Sequence, residues 1–310
     1  MILLELNIPI IDIVLAFSSA IDLINPTITN HHKRVAHISY HIAKEMNISD
    51  KDIKDLVLAS LLHDCGAVNL FERNSLFEFE FGNSSHDRHS HGYKGWLILR
   101  DADQLTPAAE IIKHHHVFWG EKSNNTLENY KMPLTSYILH LADRIDILID
   151  RNQEILKQRK YIKDMVNSSK HTMFMPEAVE AFNNLVAKPY FWFDITNPYL
   201  DSMIRKNMSS YKVSINGNSL LQYANIAHRI IDFRNRFTAT HSIGVAKSAS
   251  TLAAKLGFSA SDCELMHSAG LMHDLGKLCI PESILEKPGP LDQYEYNLIK
   301  WRYLYYKTMY

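Results

Sequence analysis

The sequence predicts an all-α protein, on three observations. Gly and Pro are scarce, 11 and 10 in 310 residues, so signals that break helices are few. Apolar residues recur mostly at helical spacing. One block that reads as a helical hairpin also occurs twice, at an offset of 210 positions and without insertion. In that block His31 matches His241, the pair His63-Asp64 matches His273-Asp274, and Val35, Ala36, Ala43, Ser49, Asp52 and Gly66 match Val245, Ala246, Ala253, Ser259, Asp262 and Gly276.

The first expected element is an amphipathic helix from about Ile8 to Ile24, stopped by Asn25-Pro26. Its apolar start does not read as a signal peptide or a spanning segment. A basic leader and a small-residue cleavage site are missing, and Asp12 and Asp22 interrupt it. Asn30 to Met46 reads as the next helix, with Val35, Ile38, Ile42 and Met46 on its apolar face. Asn47-Ile48 is a turn. Ser49, with Asp52 three positions on, caps a third helix that runs to about Asp64. Two such helices span roughly 22 Å each, so a tight hairpin returns the chain to its starting level. His31 then meets His63 and Asp64 at one end, and the second copy repeats this with His241, His273 and Asp274. A charged aspartate closing a buried helix needs a partner, and a metal ion fits.

Further along, Ser85 to Trp96 carries His86, His89 and His91 and leads into a helix through Ile98 and Leu99. Pro107 opens a short helix that ends in His114, His115 and His116. Thr135 to Ile149 reads as a helix with Asp143 and Asp146 one turn apart. Histidine and carboxylate donors without thiolates suit Mn, Fe, Zn or Mg better than a structural zinc finger. His37 and His41, spaced one turn apart, read as a solvated helix face, and His171 and His228 as lone histidines. Asp150 to Ser168 is a polar helix, KPYFWFDI a short apolar patch, and Asn207 to Asn218 the best domain boundary. A helix from Leu220 to Phe233 opens the second half.

Bulk properties exclude several classes. Hydrophobic content is 46% and charged content 22%, ordinary for a globular chain. A net charge of −1 argues against DNA binding and against a polybasic membrane anchor. Cys65, Cys263 and Cys279 form no CxxC pair, and a reducing cytoplasm fits them.

These motifs make the chain resemble a tandem HD-domain protein of the phosphohydrolase superfamily, close to its HD-GYP branch. The resemblance spans nearly the whole chain. It implies two tandem helical bundles, residues 1–210 with a full ligand set and 218–310 as the start of a second domain. The family's first histidine falls on His31 and His241, and its His-Asp doublet on His63-Asp64 and His273-Asp274. HGYKGWLIL places a ligand at His91, and the family's paired histidines and last aspartate fall on His115, His116 and Asp143. The implied cofactor is a divalent metal, two ions of Mn or Fe with Zn or Mg as alternatives. Asp64 would bridge the two ions, with His31, His63 and Asp143 on one and His91, His115 and His116 on the other. The implied activity is hydrolysis of a phosphoester small molecule, a cyclic dinucleotide such as cyclic di-GMP. The resemblance leaves room for a homodimer.

Departures from the family pattern keep other readings open. Ala67 stands where the family places a phosphate-holding lysine, and the D-G-x-G-Y-P signature is missing after His116. Thr27 occupies the position of a third-metal glutamate, which favours two ions. The second copy keeps Lys277 for substrate phosphate. However, it ends at Tyr310 before the later ligands and has Arg302 at the third histidine, so it is expected to be truncated. Hydrolysis of another nucleotide or alarmone is one alternative, and a catalytically weak signalling scaffold is another.

Overall fold

Helices account for nearly all regular structure in the computed structural model, which describes residues 8–22, 29–67, 89–123, 132–211, 213–215, 217–234, 239–285 and 287–308. In chain order the helices are α1 (Ile10–Asp22), α2 (His31–Glu45), α3 (Asp50–Leu62), α4 (Ser90–Leu99), α5 (Thr106–Lys113), α6 (Thr135–Ile147), α7 (Ile155–Ser168) and α8 (Pro176–Val186). They continue as α9 (Pro189–Ile195), α10 (Leu200–Asn207), α11 (Gly217–Arg234), α12 (Ala239–Lys255), α13 (Ala260–Met272), α14 (Glu282–Leu285) and α15 (Gln293–Thr308). The all-α expectation holds apart from one short bridge. Strands β1 (Ile8–Pro9) and β2 (Ser214–Ile215) pair antiparallel, Ile8 opposite Ile215. Among the described residues, no helix is long and apolar enough to cross a membrane.

Helix α1 is amphipathic as expected, with Asp12, Ile13, Ala16 and Ser19 forming its half-exposed stripe. Ile10, Ile11, Val14, Leu15, Phe17, Ala20 and Ile21 are all buried, so its apolar face is wide and deeply set in the core. Its one early charge, Asp12, sits in the first turn, where the helix dipole favours an acid, and pairs with Arg205 of α10 at 2.7 Å. The short apolar patch KPYFWFDI is helix α9, with Phe191 and Trp192 fully buried.

The α2–α3 hairpin forms with the expected chemistry. The Ser49 hydroxyl accepts from the Asp52 amide at 3.2 Å and donates to the Asp52 carboxylate at 2.7 Å. The second copy repeats the cap: Ser259 accepts from Asp262 at 3.1 Å and donates at 2.7 Å. Each such cap is worth about 1 kcal/mol. Helix α2 lies at the centre of the first half, packed on α3, α6, α8 and α10, while α4 and α5 pair beside α3.

The second half is not a free-standing unit at its first helix. Tyr223, Ile226, Ala227, Ile230 and Ile231 of α11 belong to the same apolar cluster as α1, α3 and α6. Arg229 reaches from α11 to α4, donating to the carbonyls of Leu97 and Ile98 at 3.1 and 3.2 Å and to Asp101 at 2.7 Å. The hairpin α12–α13 packs on α11 through a small cluster among the described residues, Ala224 of α11 with Ala246 and Leu271. Ile243, Leu252, Leu256, Phe258 and Met266 stay exposed along this hairpin. His86, Thr27 and Asn25-Pro26 lie outside the described residues, as do the side chains of Asp232, Cys279, Arg302 and the closing aromatic residues.

Candidate metal centre

Seven side chains named by the internal repeat and the family resemblance converge on one buried point. His31, His63, Asp64, His91, His115, His116 and Asp143 are each at most 8% exposed, although they come from five stretches of chain. His31 opens α2, His63-Asp64 closes α3, His91 lies in the first turn of α4, His115-His116 follow α5, and Asp143 sits within α6.

Close packing of backbone brings these stretches together. Gly66, just after the His-Asp pair, sits directly against α4. A Cβ there would lie 2.1 Å from the His91 carbonyl oxygen and 2.4 Å from the Gly95 nitrogen. A glycine is required by that approach and not by its torsion angles. Trp96 of α4 donates to Glu110 of α5 at 2.6 Å, and Ser136 of α6 donates to the Ile111 carbonyl of α5 at 3.1 Å. These links fix His91, His115-His116 and Asp143 relative to one another.

Asp64 lies at the middle of the cluster. Its Oδ1 faces His63 Nε2 at 3.5 Å and His91 Nε2 at 3.8 Å, and its Oδ2 faces His31 Nε2 at 4.0 Å. Asp143 Oδ1 faces His31 Nε2 at 3.4 Å and His63 Nε2 at 3.8 Å, while its Oδ2 accepts from Arg144 at 2.6 Å. On the other side, His91 Nε2 is 3.3 Å from His115 Nε2 and 2.9 Å from His116 Nε2.

The hydrogen bonds assign the ring protons. His63 Nδ1 donates to the Ser60 carbonyl at 2.9 Å and His115 Nδ1 to the Ile112 carbonyl at 2.6 Å. Their Nε2 atoms therefore point inward as bare lone pairs, and that of His63 has no hydrogen-bond partner among the described residues despite complete burial. Burial lowers the His91 pKa to about 4, and burial with neighbouring imidazoles holds those of His115 and His116 well below the ordinary imidazole value, so these rings stay neutral at pH 7. Burial works to raise the Asp64 and Asp143 carboxyls, but His63 beside Asp64 and Arg144 beside Asp143 hold both well below the usual carboxylate range. Lone pairs and ionised carboxylates aimed at one point repel unless a cation lies among them, so the donor set fits a divalent metal.

Two functional side chains escaped the sequence reading, and one was noted without a role. His32 is completely buried, its Nε2 3.6 Å from Asp64 Oδ2 and its Nδ1 hydrogen-bonded to Asp22 at the end of α1. Arg34 donates to Asp146 at 2.6 Å. Asp146, noted only for its spacing from Asp143, also accepts from His31 Nδ1 at 2.7 Å and from Arg151 at 3.1 Å. Burial acts against its charge, yet Arg34 and His31 keep it ionised, and it fixes the ring orientation of His31. Ala67 is buried, and nothing at its position can hold phosphate.

The second copy reproduces the corner and not the centre. His241 and His273 have ring centroids 5.4 Å apart, against 5.2 Å for His31 and His63. His273 Nδ1 donates to the Gly270 carbonyl at 2.7 Å, as His63 does to Ser60. His241 is 3.9 Å and His273 3.3 Å from Asp274, but both rings are substantially exposed, and Lys277 already occupies Asp274 at 2.8 Å. A Cβ on Gly276 would meet nothing within 4 Å, so no counterpart of α4 covers this corner among the described residues.

Comparison with known proteins gives consistent results. The family model described as HD domain matches residues 28–148 and 238–302. A Vibrio cholerae protein named 3'3'-cGAMP-specific phosphodiesterase 1 is 25% identical over 305 residues, covering 96% of this chain and 70% of that protein. A Thermotoga maritima protein named cyclic di-GMP phosphodiesterase is 29% identical over 168 residues, covering 50% of this chain and 44% of that one. The crystal structure of a cyclic GMP-AMP-specific phosphodiesterase of V. cholerae, V-cGAP3, superposes with a TM-score of 0.73 at 21% identity, covering 97% of this chain and 79% of that one.

Proposed function

The chain belongs to the HD domain family, and from that premise we propose that it is a metal-dependent phosphodiesterase that hydrolyses a 3',3'-linked cyclic dinucleotide. The observation that carries this reading is the buried convergence of imidazoles and carboxylates around Asp64. Relatives matched over nearly the whole chain are named for 3'3'-cGAMP, which ranks it first as substrate. Cyclic di-GMP is the second reading, favoured by the half-length match to the Thermotoga protein.

His31, His63 and Asp143 would hold one cation, His91, His115 and His116 a second, and Asp64 would contact both through its two oxygens. Bound divalent cations supply Lewis acidity toward a phosphoryl oxygen and make water more acidic. The protein's own groups perform the positioning. Asp146 and the Ser60 and Ile112 carbonyls fix three imidazoles in the tautomer that offers Nε2. Arg144 holds Asp143 ionised, and the burial of the whole set keeps bulk water away from the donors. Water would attack the phosphorus and the sugar oxygen would leave, so no serine or cysteine nucleophile is needed.

The division into residues 1–210 and 218–310 is part of the same proposal. The first half would carry the reaction, and His241, His273, Asp274 and Lys277 would form a second corner without a complete ligand set.

The test is turnover by the purified protein loaded with Mn or Fe. Hydrolysis of 3'3'-cGAMP to a linear dinucleotide is expected by chromatography, with cyclic di-GMP as the parallel substrate. Asp64→Ala is expected to lose at least a hundredfold in rate and most bound metal while far-UV circular dichroism stays helical. A loaded wild-type protein inert toward both cyclic dinucleotides, or an Asp64→Ala variant with full metal content, defeats the proposal.

A further inference from the structure

A second group of potential ligands stands apart from this centre. His37 and His41 lie one turn apart on α2, and Asp194 lies on α9. One donor atom from each of the three is within 4.8 Å of the other two. The spacing reads as a solvated face, but His37 is 1% exposed and His41 and Asp194 are half-buried. The His37 and His41 ring centres are 4.4 Å apart, and Phe191 stacks on His37.

The chemistry of His37 singles this group out. Neither ring nitrogen has a hydrogen-bond partner among the described residues, although both are fully buried. A core histidine normally satisfies at least its N–H, because a buried polar group left unpaired costs stability. Burial pushes His37 down to about 3 and His41, with Lys188 nearby, down to about 4. Both rings are therefore neutral near pH 7 and offer lone pairs. The i,i+4 spacing turns both toward the same side of the helix, where α9 presents a carboxylate.

We propose that His37, His41 and Asp194 bind one divalent transition-metal ion of the zinc class, clamping α9 onto α2. Two imidazoles and one carboxylate suit zinc or cobalt, with water completing a tetrahedral set. His37 lies six residues beyond His31, roughly 9 Å along the helix, so this site is separate from the first yet braces the same helix. The proposal does not depend on the phosphodiesterase reading, since it concerns other residues and another readout.

The experiment counts zinc in a chain carrying Asp64→Ala and His91→Ala, which disables the main centre. After equilibration with zinc and removal of excess by gel filtration, elemental analysis is expected to find one equivalent. Cobalt in its place is expected to show the visible absorption of a tetrahedral site. Adding His41→Ala or, in a separate protein, Asp194→Asn is expected to remove that equivalent and the zinc-dependent rise in melting temperature. In the chain with an intact main centre, Asp194→Asn alone is expected to lower total zinc by one. Absence of retained zinc in the doubly substituted chain overturns the site, and so does zinc content unchanged by Asp194→Asn in the intact chain.

Discussion

His32 shows what a residue-level reading of a repeat can miss. Positions shared by both copies led to His31, His63 and Asp64, and all three meet in the buried cluster. His32 has Ser242 as its counterpart, so the repeat drew no attention to it, although its ring faces Asp64 at 3.6 Å. The adjacent histidine doublet, together with Asp22 ten positions earlier, was the signal available in the sequence. A carboxylate at the end of α1 is disfavoured by the helix dipole, and an imidazole donor in front of it answers that cost. His32→Gln is expected to weaken metal binding about 10–100-fold, the usual effect of removing a group that orients or supplements ligands. Competition with a chromophoric chelator measures this, and an unchanged affinity assigns His32 to packing alone. His37 was misread for a related reason. Its spacing is polar on paper, but the α9 aromatics that bury it are more than 150 residues away in sequence.

Among the elements, the α2–α3 hairpin was legible almost residue by residue, because its caps, turn and apolar spacing are all local. Its predicted span of Asn30 to Met46 is observed as His31–Glu45, and Asn30 takes a left-handed conformation with φ of 62°. Less legible was what α4 rests against. Gly66 looked like one more matched position, and only the fold shows α4 seated on it. Gly66→Ala is expected to push α4 away, displacing His91 while leaving the caps intact. At least a tenfold loss of metal affinity should follow, together with a loss of about 1–3 kcal/mol in stability from overpacking. Metal titration and urea unfolding check the two parts separately. The matching Gly276→Ala is expected to change neither quantity, since the position is open.

At the scale of the whole molecule, the boundary between the halves joins local signals to long-range packing. The composition of Asn207 to Asn218 marks a linker, and the chain there does leave one helix and enter another. Yet α11, beyond the linker, shares its apolar face with the first half, because long-range packing leaves no local trace in sequence. A fragment of residues 1–234 is therefore expected to exceed one of residues 1–211 by at least about 5 kcal/mol in stability. Tyr223 and three isoleucines each contribute roughly 1.5–3 kcal/mol when buried. Urea denaturation of the two fragments decides this, and equal midpoints would place α11 with the hairpin that follows it. The short pairing of Ile8–Pro9 with Ser214–Ile215 has a consequence for synthesis. Because a nascent chain emerges from its beginning, this contact must wait until about two hundred further residues have left the ribosome. Assembly of the first half is thus completed late, by a segment from the boundary between the two halves.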